Sequence, residues 1–88
     1  MDDNLEKIEL ESTTLYSIDE FEDSLVKTTL KEVCEALKER EYNPVNQLVG
    51  YLMSGDPGYI SNHKEARNKI VQIERSKILE ILIKEYLN

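Results

Sequence analysis

One cysteine, one histidine, one phenylalanine and no tryptophan in 88 residues leave this chain little equipment for covalent or metal chemistry. Cys34 on its own excludes an intramolecular disulfide. Together with the lone His63 it is too little for a Cys/His metal site. Three glycines and two prolines exclude a low-complexity or linker-like chain. Gly55-Asp56-Pro57-Gly58 lacks the Gly-Lys-Ser/Thr ending of a phosphate loop. No apolar run approaches the roughly 20 residues of a membrane span. The start, MDDNLEKIEL, is acidic where a secretory signal is basic and then strongly apolar. No nucleophile–base pair or paired-carboxylate motif is present. The expectation is a cytoplasmic protein, not an enzyme, with no cofactor, no bound metal and no membrane insertion.

What the chain has in quantity is charge, and it is unevenly spread. Residues 1–41 hold thirteen acidic and five basic side chains, whereas residues 42–88 hold five acidic and six basic, giving −7 overall. A net negative chain repels the phosphate backbone whose neutralisation dominates nucleic-acid affinity, so no nucleic acid is expected as a partner. The basic groups of the second half gather in Lys64, Arg67, Lys69, Arg75 and Lys77.

From Ser17 onward hydrophobic spacing is helical; the earlier alternation from Ile8 and Leu10 through Leu15, Tyr16 and Ile18 could form a strand or hairpin, which alone is marginal in water. Residues 1–16 carry five carboxylates and little apolar pattern, and are expected to form a mobile acidic N-terminal segment; residues 17–88 form a single helical domain. Ser17 and Glu20 fit a capping box. From there Phe21, Leu25, Val26, Leu30, Val33 and Leu37 make a stripe running to about Arg40. Asn43 then caps and Pro44 starts a second helix, where a missing N–H is no loss. Its apolar face is Val45, Leu48, Val49, Leu52 and Met53, and Ser54-Gly55 ends it. Asp56-Pro57 opens another helical turn with Tyr59 and Ile60, which gives a helix-turn-helix-like core. Asn62 with Glu65 suggests a further cap, ahead of Ala66, Ile70 and Ile73. Ser76 caps a last helix whose apolar face uses Leu79, Leu82, Ile83, Tyr86 and Leu87. Whether Glu74-Arg75-Ser76 is a break or a kink is open. Cys34 reads as core filler, His63 as a first-turn residue, and the tyrosines as core or interface. The fold class is all-α, a compact small helical bundle. Some 70 residues make a modest core, and with neither disulfide nor metal the remaining support is a partner subunit; a homodimer is expected.

The run YNPVNQLVGYLMSGDP, followed by HKEARNKI (His63–Ile70) and IERSKILEILIKEYL (Ile73–Leu87), resembles the IreB family of small regulatory proteins of Firmicutes-type bacteria. The resemblance covers about three quarters of the chain. It implies a non-enzymatic regulator phosphorylated on an N-terminal threonine by a membrane Ser/Thr kinase with extracellular PASTA domains, and reversed by a cognate phosphatase. It further implies a role in the cell-envelope stress response, in control of peptidoglycan synthesis and in β-lactam tolerance, with a proteolysis or peptidoglycan-synthesis factor downstream. Aligned on Leu15-Tyr16, the matching threonine is Thr13, with Thr14 as the alternative. Arg67, inside HKEARN, is the foremost partner-binding candidate, because a guanidinium holds a carboxylate or phosphate at two points. Lys64, Lys69 and Arg75 surround it in sequence. Glu41 stands where the family usually carries Gly, so the first helix must end with less convenient backbone geometry. Ser61-Asn62 replaces a common Pro-Arg, and Ser76-Lys77 an acidic pair.

The rival reading is a small helix-turn-helix-like DNA-binding regulator. Between Val45 and Met53 a recognition helix would have only Asn46, Gln47 and Tyr51, with no Lys or Arg.

Overall fold

The computed structural model describes the backbone of residues 2–88 and the side chains of residues 19–88. Four α-helices follow one another: α1 (Asp2–Glu39), α2 (Pro44–Ser54), α3 (Ala66–Ile70) and α4 (Arg75–Leu87). Single 3-10 turns lie at Pro57–Tyr59 and His63–Glu65, and no strand occurs among the described residues. All-α is therefore correct. The backbone of α1 continues to the N-terminal side of Ser17, where sequence alone starts it. The side chains of Ser17, Thr13 and Thr14, and the expected mobility of residues 1–16, lie outside what is described.

α1 provides the wall on which the rest is built. Val26, Leu30, Val33 and Leu37 recur along one side of it and are buried, with Ala36 between the last two. α2, α3 and α4 all pack against α1. They contribute Leu48 and Tyr51, Ala66 and Ile70, and Ile78 and Ile81, while Ile60 closes the core from the loop. Each fully buried aliphatic side chain contributes about 1.5–3 kcal/mol relative to exposure. Cys34 lies half-buried against this cluster, as expected of small filler, and burial pushes its thiol pKa up.

Two helix ends are read correctly from local chemistry. The Asn43 side chain accepts from the Asn46 amide at 3.2 Å, and Pro44 is the first residue of α2. Gly55 closes α2 at φ 77°, its amide donating to the Tyr51 carbonyl at 2.7 Å. A Cβ on Gly55 would also meet the Arg75 guanidinium at 2.9 Å. The end of α1 is a Schellman closure, in which the Tyr42 amide donates to Leu37 at 3.0 Å and the Glu41 amide to Lys38 at 2.9 Å. That closure needs a left-handed residue, and Glu41 supplies it at φ 62°. The inconvenient geometry expected of Glu41 is thus present.

The helical turn expected after Asp56-Pro57 is present as a single 3-10 turn, with the Asp56 side chain accepting from the Gly58 amide at 2.8 Å. Three expectations are corrected. The segment from Asn62 is not a continuous capped helix, because Lys64 and Glu65 are left-handed. Ser76 lies inside α4, whose cap position is Glu74, and the chain breaks ahead of Arg75. The α4 stripe of Leu79, Leu82, Ile83, Tyr86 and Leu87 is exposed, and the core takes Ile78 and Ile81 from the other side of the helix. In the same way α2 buries Leu48 and Tyr51 while Val45, Val49 and Met53 face outward, and α1 leaves Phe21 and Leu25 exposed.

Glu41→Gly should raise stability by about 0.5–1 kcal/mol, since glycine adopts the left-handed region without the penalty a side chain incurs. Gly55→Ala should lower it by about 1–2 kcal/mol for the converse reason. Urea unfolding of both variants checks the pair, and equal midpoints for all three proteins would contradict the assignment of these two helix ends.

Candidate functional site

The basic residues singled out in the sequence are all engaged within the chain. Lys64 Nζ donates to Glu39 Oε2 at 2.8 Å, and Lys69 Nζ lies 3.5 Å from Glu32. Both carboxylates belong to α1, two turns apart, so the His63–Glu65 turn and α3 are strapped to one edge of that helix. Arg67 is half-buried, and its Nε donates to the Ile60 carbonyl at 2.8 Å, tying α3 to the end of the Pro57–Tyr59 turn. Its terminal nitrogens have no hydrogen-bond partner among the described residues. Arg75 sits apart from these, donating through Nη1 to the Leu52 carbonyl at 2.9 Å and covering Gly55. It satisfies a carbonyl at the open end of α2 from the first residue of α4.

A second electrostatic seam joins α1 to α4. Asp23 accepts from Lys77 at 2.8 Å and lies 3.5 Å from Lys84, while Glu80 takes the same two lysines at 3.3 and 2.8 Å. Lys27 pairs with Glu85 at 2.9 Å. Hydrogen bonding to Lys77, reinforced by its charge and that of Lys84, holds the Asp23 carboxyl below its ordinary pKa. Glu80 is lowered by Lys84 and then Lys77, and both lysines are raised in return. The groove beside this seam, about 630 Å³, is lined by Leu25, Val26 and Ile73 as well as by Lys69, Lys77 and Glu80.

Sequence reasoning passed over Glu39. Its carboxylate accepts from Lys64 and contacts His63 Nε2 at 3.0 Å, and these bonds, Lys64 first, lower its pKa. A signal existed: a carboxylate in the last turn of a helix faces the negative end of the dipole, where it is disfavoured without a partner. His63 therefore sits on an α1 carboxylate. Gln47 accepts from the Ser61 amide at 2.9 Å. Tyr59 is half-exposed and lays its ring across Gly50, where any Cβ would collide with it.

The His63–Glu65 turn is strained. Lys64 (φ 53°, ψ 35°) and Glu65 (φ 64°, ψ 23°) are consecutive left-handed residues without glycine. Such geometry costs about 1–2 kcal/mol per residue and persists where surrounding contacts enforce it.

No group of three or more His, Cys, Asp or Glu that could hold a metal occurs among the described residues. No helix among them is long and apolar enough to cross a membrane. The architecture is that of a small all-α domain with ion-paired seams and unoccupied apolar helix faces. The family whose model matches the chain is IreB, described as the IreB regulatory phosphoprotein, over residues 11–88. The chain belongs to that family. The match includes Thr13 and Thr14.

The carboxylates with lowered pKa values fix the direction of the acid response. A depressed folded-state pKa stabilises above the unfolded value, near 4, and that contribution is lost as pH falls through the folded one. Thermal stability of the wild type should therefore drop more steeply below about pH 4 than that of an Asp23→Asn, Glu39→Gln variant. The raised lysines add stability below their unfolded value that disappears only at strongly alkaline pH. Parallel melting-temperature profiles for the two proteins through the acid range would show that the seams contribute nothing.

Proposed function

We propose that the protein is a non-enzymatic cytoplasmic regulator, switched by phosphorylation of Thr13, or failing that Thr14, by a PASTA-domain Ser/Thr kinase and reset by the cognate phosphatase. The observation that carries the reading is the family match across residues 11–88, which takes in both threonines. The process it acts in is the cell-envelope stress response, through control of peptidoglycan synthesis and hence β-lactam tolerance. The composition of residues 1–16 supports the choice of site, since a segment with five carboxylates and few apolar residues has too little to bury to be held firmly. A phosphate there adds nearly two negative charges beside Glu9 and Glu11. It repels that neighbourhood and is drawn to a basic surface, of which Arg67, with Lys64 and Lys69 on the same stretch of chain, is the foremost candidate. Arg75 serves as a further contact on the α4 side.

Mass spectrometry after incubation with that kinase should show phosphate in the wild type and none in the Thr13→Ala, Thr14→Ala double variant. Thr28 and Thr29 should remain unmodified, because they lie in the middle of α1 on the stretch that forms the core wall. Undiminished incorporation in the double variant would sink the site assignment.

The protein acts as a homodimer in this reading. Leu79, Leu82, Ile83 and Tyr86 stand at i, i+3, i+4 and i+7 on the outer side of α4, the spacing of a helix-pairing seam, and Tyr86 is 88% exposed. Light scattering at micromolar concentration should give about twice the 10.3 kDa chain mass, and Leu79→Glu with Ile83→Glu should reduce it to that of one chain. A single-chain mass for the wild type, with cooperative unfolding retained, would count against dimerisation.

A further inference from the structure

Local sequence and observed backbone disagree at one place more sharply than anywhere else among the described residues. Asn62 followed three residues later by Glu65 is the signature of a capped helix start, and Ala66-Arg67-Asn68-Lys69 continues a helical run. The chain instead turns left-handed at Lys64 and Glu65 and starts its helix at Ala66. The Asn62 side chain still caps, but across the turn, accepting from the Asn68 amide at 3.4 Å. Asn68 in return donates to Glu65 Oε2 at 3.0 Å. From Ala66 onward α3 is fixed, with Ala66 and Ile70 fully buried and Arg67 bonded to the Ile60 carbonyl. The strained residues are exposed, and Glu39 at the end of α1 contacts the two side chains at the start of the turn, His63 and Lys64.

We propose that His63–Glu65 is a two-state element latched by Glu39: gripped, it forms the left-handed turn; released, it joins α3 as one helix capped by Asn62. The inference goes beyond the phosphorylation reading and does not depend on it. The same asparagine caps both forms, so the exchange leaves no helix start without an acceptor. In the released form the Ala66 amide exchanges its present acceptor, the His63 carbonyl, for that of Asn62, and the Arg67 amide gains the His63 carbonyl. Release also changes the chemistry of the surface. Lys64 and Arg67 then stand three residues apart on one helix face, and no α1 carboxylate neutralises Lys64. The latched form spends Lys64 on Glu39. A device of this kind turns a dispersed set of internal ion pairs into a cationic face, and any partner that draws Glu39 away biases it.

The test is NMR on the full chain, reading Cα chemical shifts and HN–Hα couplings of Lys64 and Glu65 with amide exchange at Arg67. Wild type should show left-handed values at both residues. Glu39→Ala should move them to right-handed helical values and slow exchange at the Arg67 amide. A Lys64→Gly, Glu65→Gly variant should keep the left-handed turn and melt at a higher temperature than wild type, because glycine relieves its strain. Left-handed values persisting unchanged in Glu39→Ala would overturn the latch, and a lower melting temperature for the glycine variant would overturn the strain. Should Glu39→Ala fail to fold, Lys64→Met removes one leg of the grip, and the absence of any helical shift there is equally decisive against the proposal.

Discussion

The buried stripe of α1, from Val26 to Leu37, is the surface that α2, α3 and α4 have in common. None of those three is long enough to be stable by itself in water; α3 has five residues, less than half of what even a favourable isolated helix needs. Each exists because α1 offers it a wall to bury against. Electrostatics follow the same plan. The acidic surplus of the first half lies largely on α1, and Asp23, Glu32 and Glu39 along it meet lysines of the His63–Glu65 turn, α3 and α4. The charge asymmetry visible in the sequence is therefore in good part internal complementarity. Most of these pairs are exposed and individually weak; Asp23–Lys77, with side chains 27% and 29% exposed, is the least screened of them.

Legibility from sequence tracked how local the deciding chemistry was. α2 was readable at both ends because Asn43-Pro44 and Gly55 fix their own backbone. Glu41 was readable as an awkward helix end, and it is left-handed. α4 was readable as a helix but not in its orientation. It carries two apolar sides, and periodicity favours the larger one, Leu79 with Leu82, Ile83 and Tyr86. Only the position of α1 decides that Ile78 and Ile81 go inside. The His63–Glu65 turn was misread because the capping signal of Asn62 and Glu65 is local, whereas the turn's contacts with Glu39 come from a residue more than twenty positions away. The basic candidates were found as residues, yet nothing in one sequence says that Lys64, Lys69 and Arg75 each have a partner inside the fold. Thr13 and Thr14 belong to the part of the chain whose side chains are not described.

Large apolar residues remain on the outside of three helices, Phe21 and Leu25 on α1 among them. Val45, Val49 and Met53 line α2, a helix without a single charged residue, and Met53 is 83% exposed. The outer face of α4 carries a second such stripe. Exposed apolar patches of this kind are the surfaces on which proteins meet partners.

The pairing of α1 with α4 sets an order on synthesis. α1 leaves the ribosome first, but the lysines of Asp23 and the partner of Lys27 lie in the final helix. Until α4 emerges, the α1 wall has no complete cover. A wall whose cover is made after it stays open for the whole of that interval, and open apolar surface is what the triage of unfolded chains recognises.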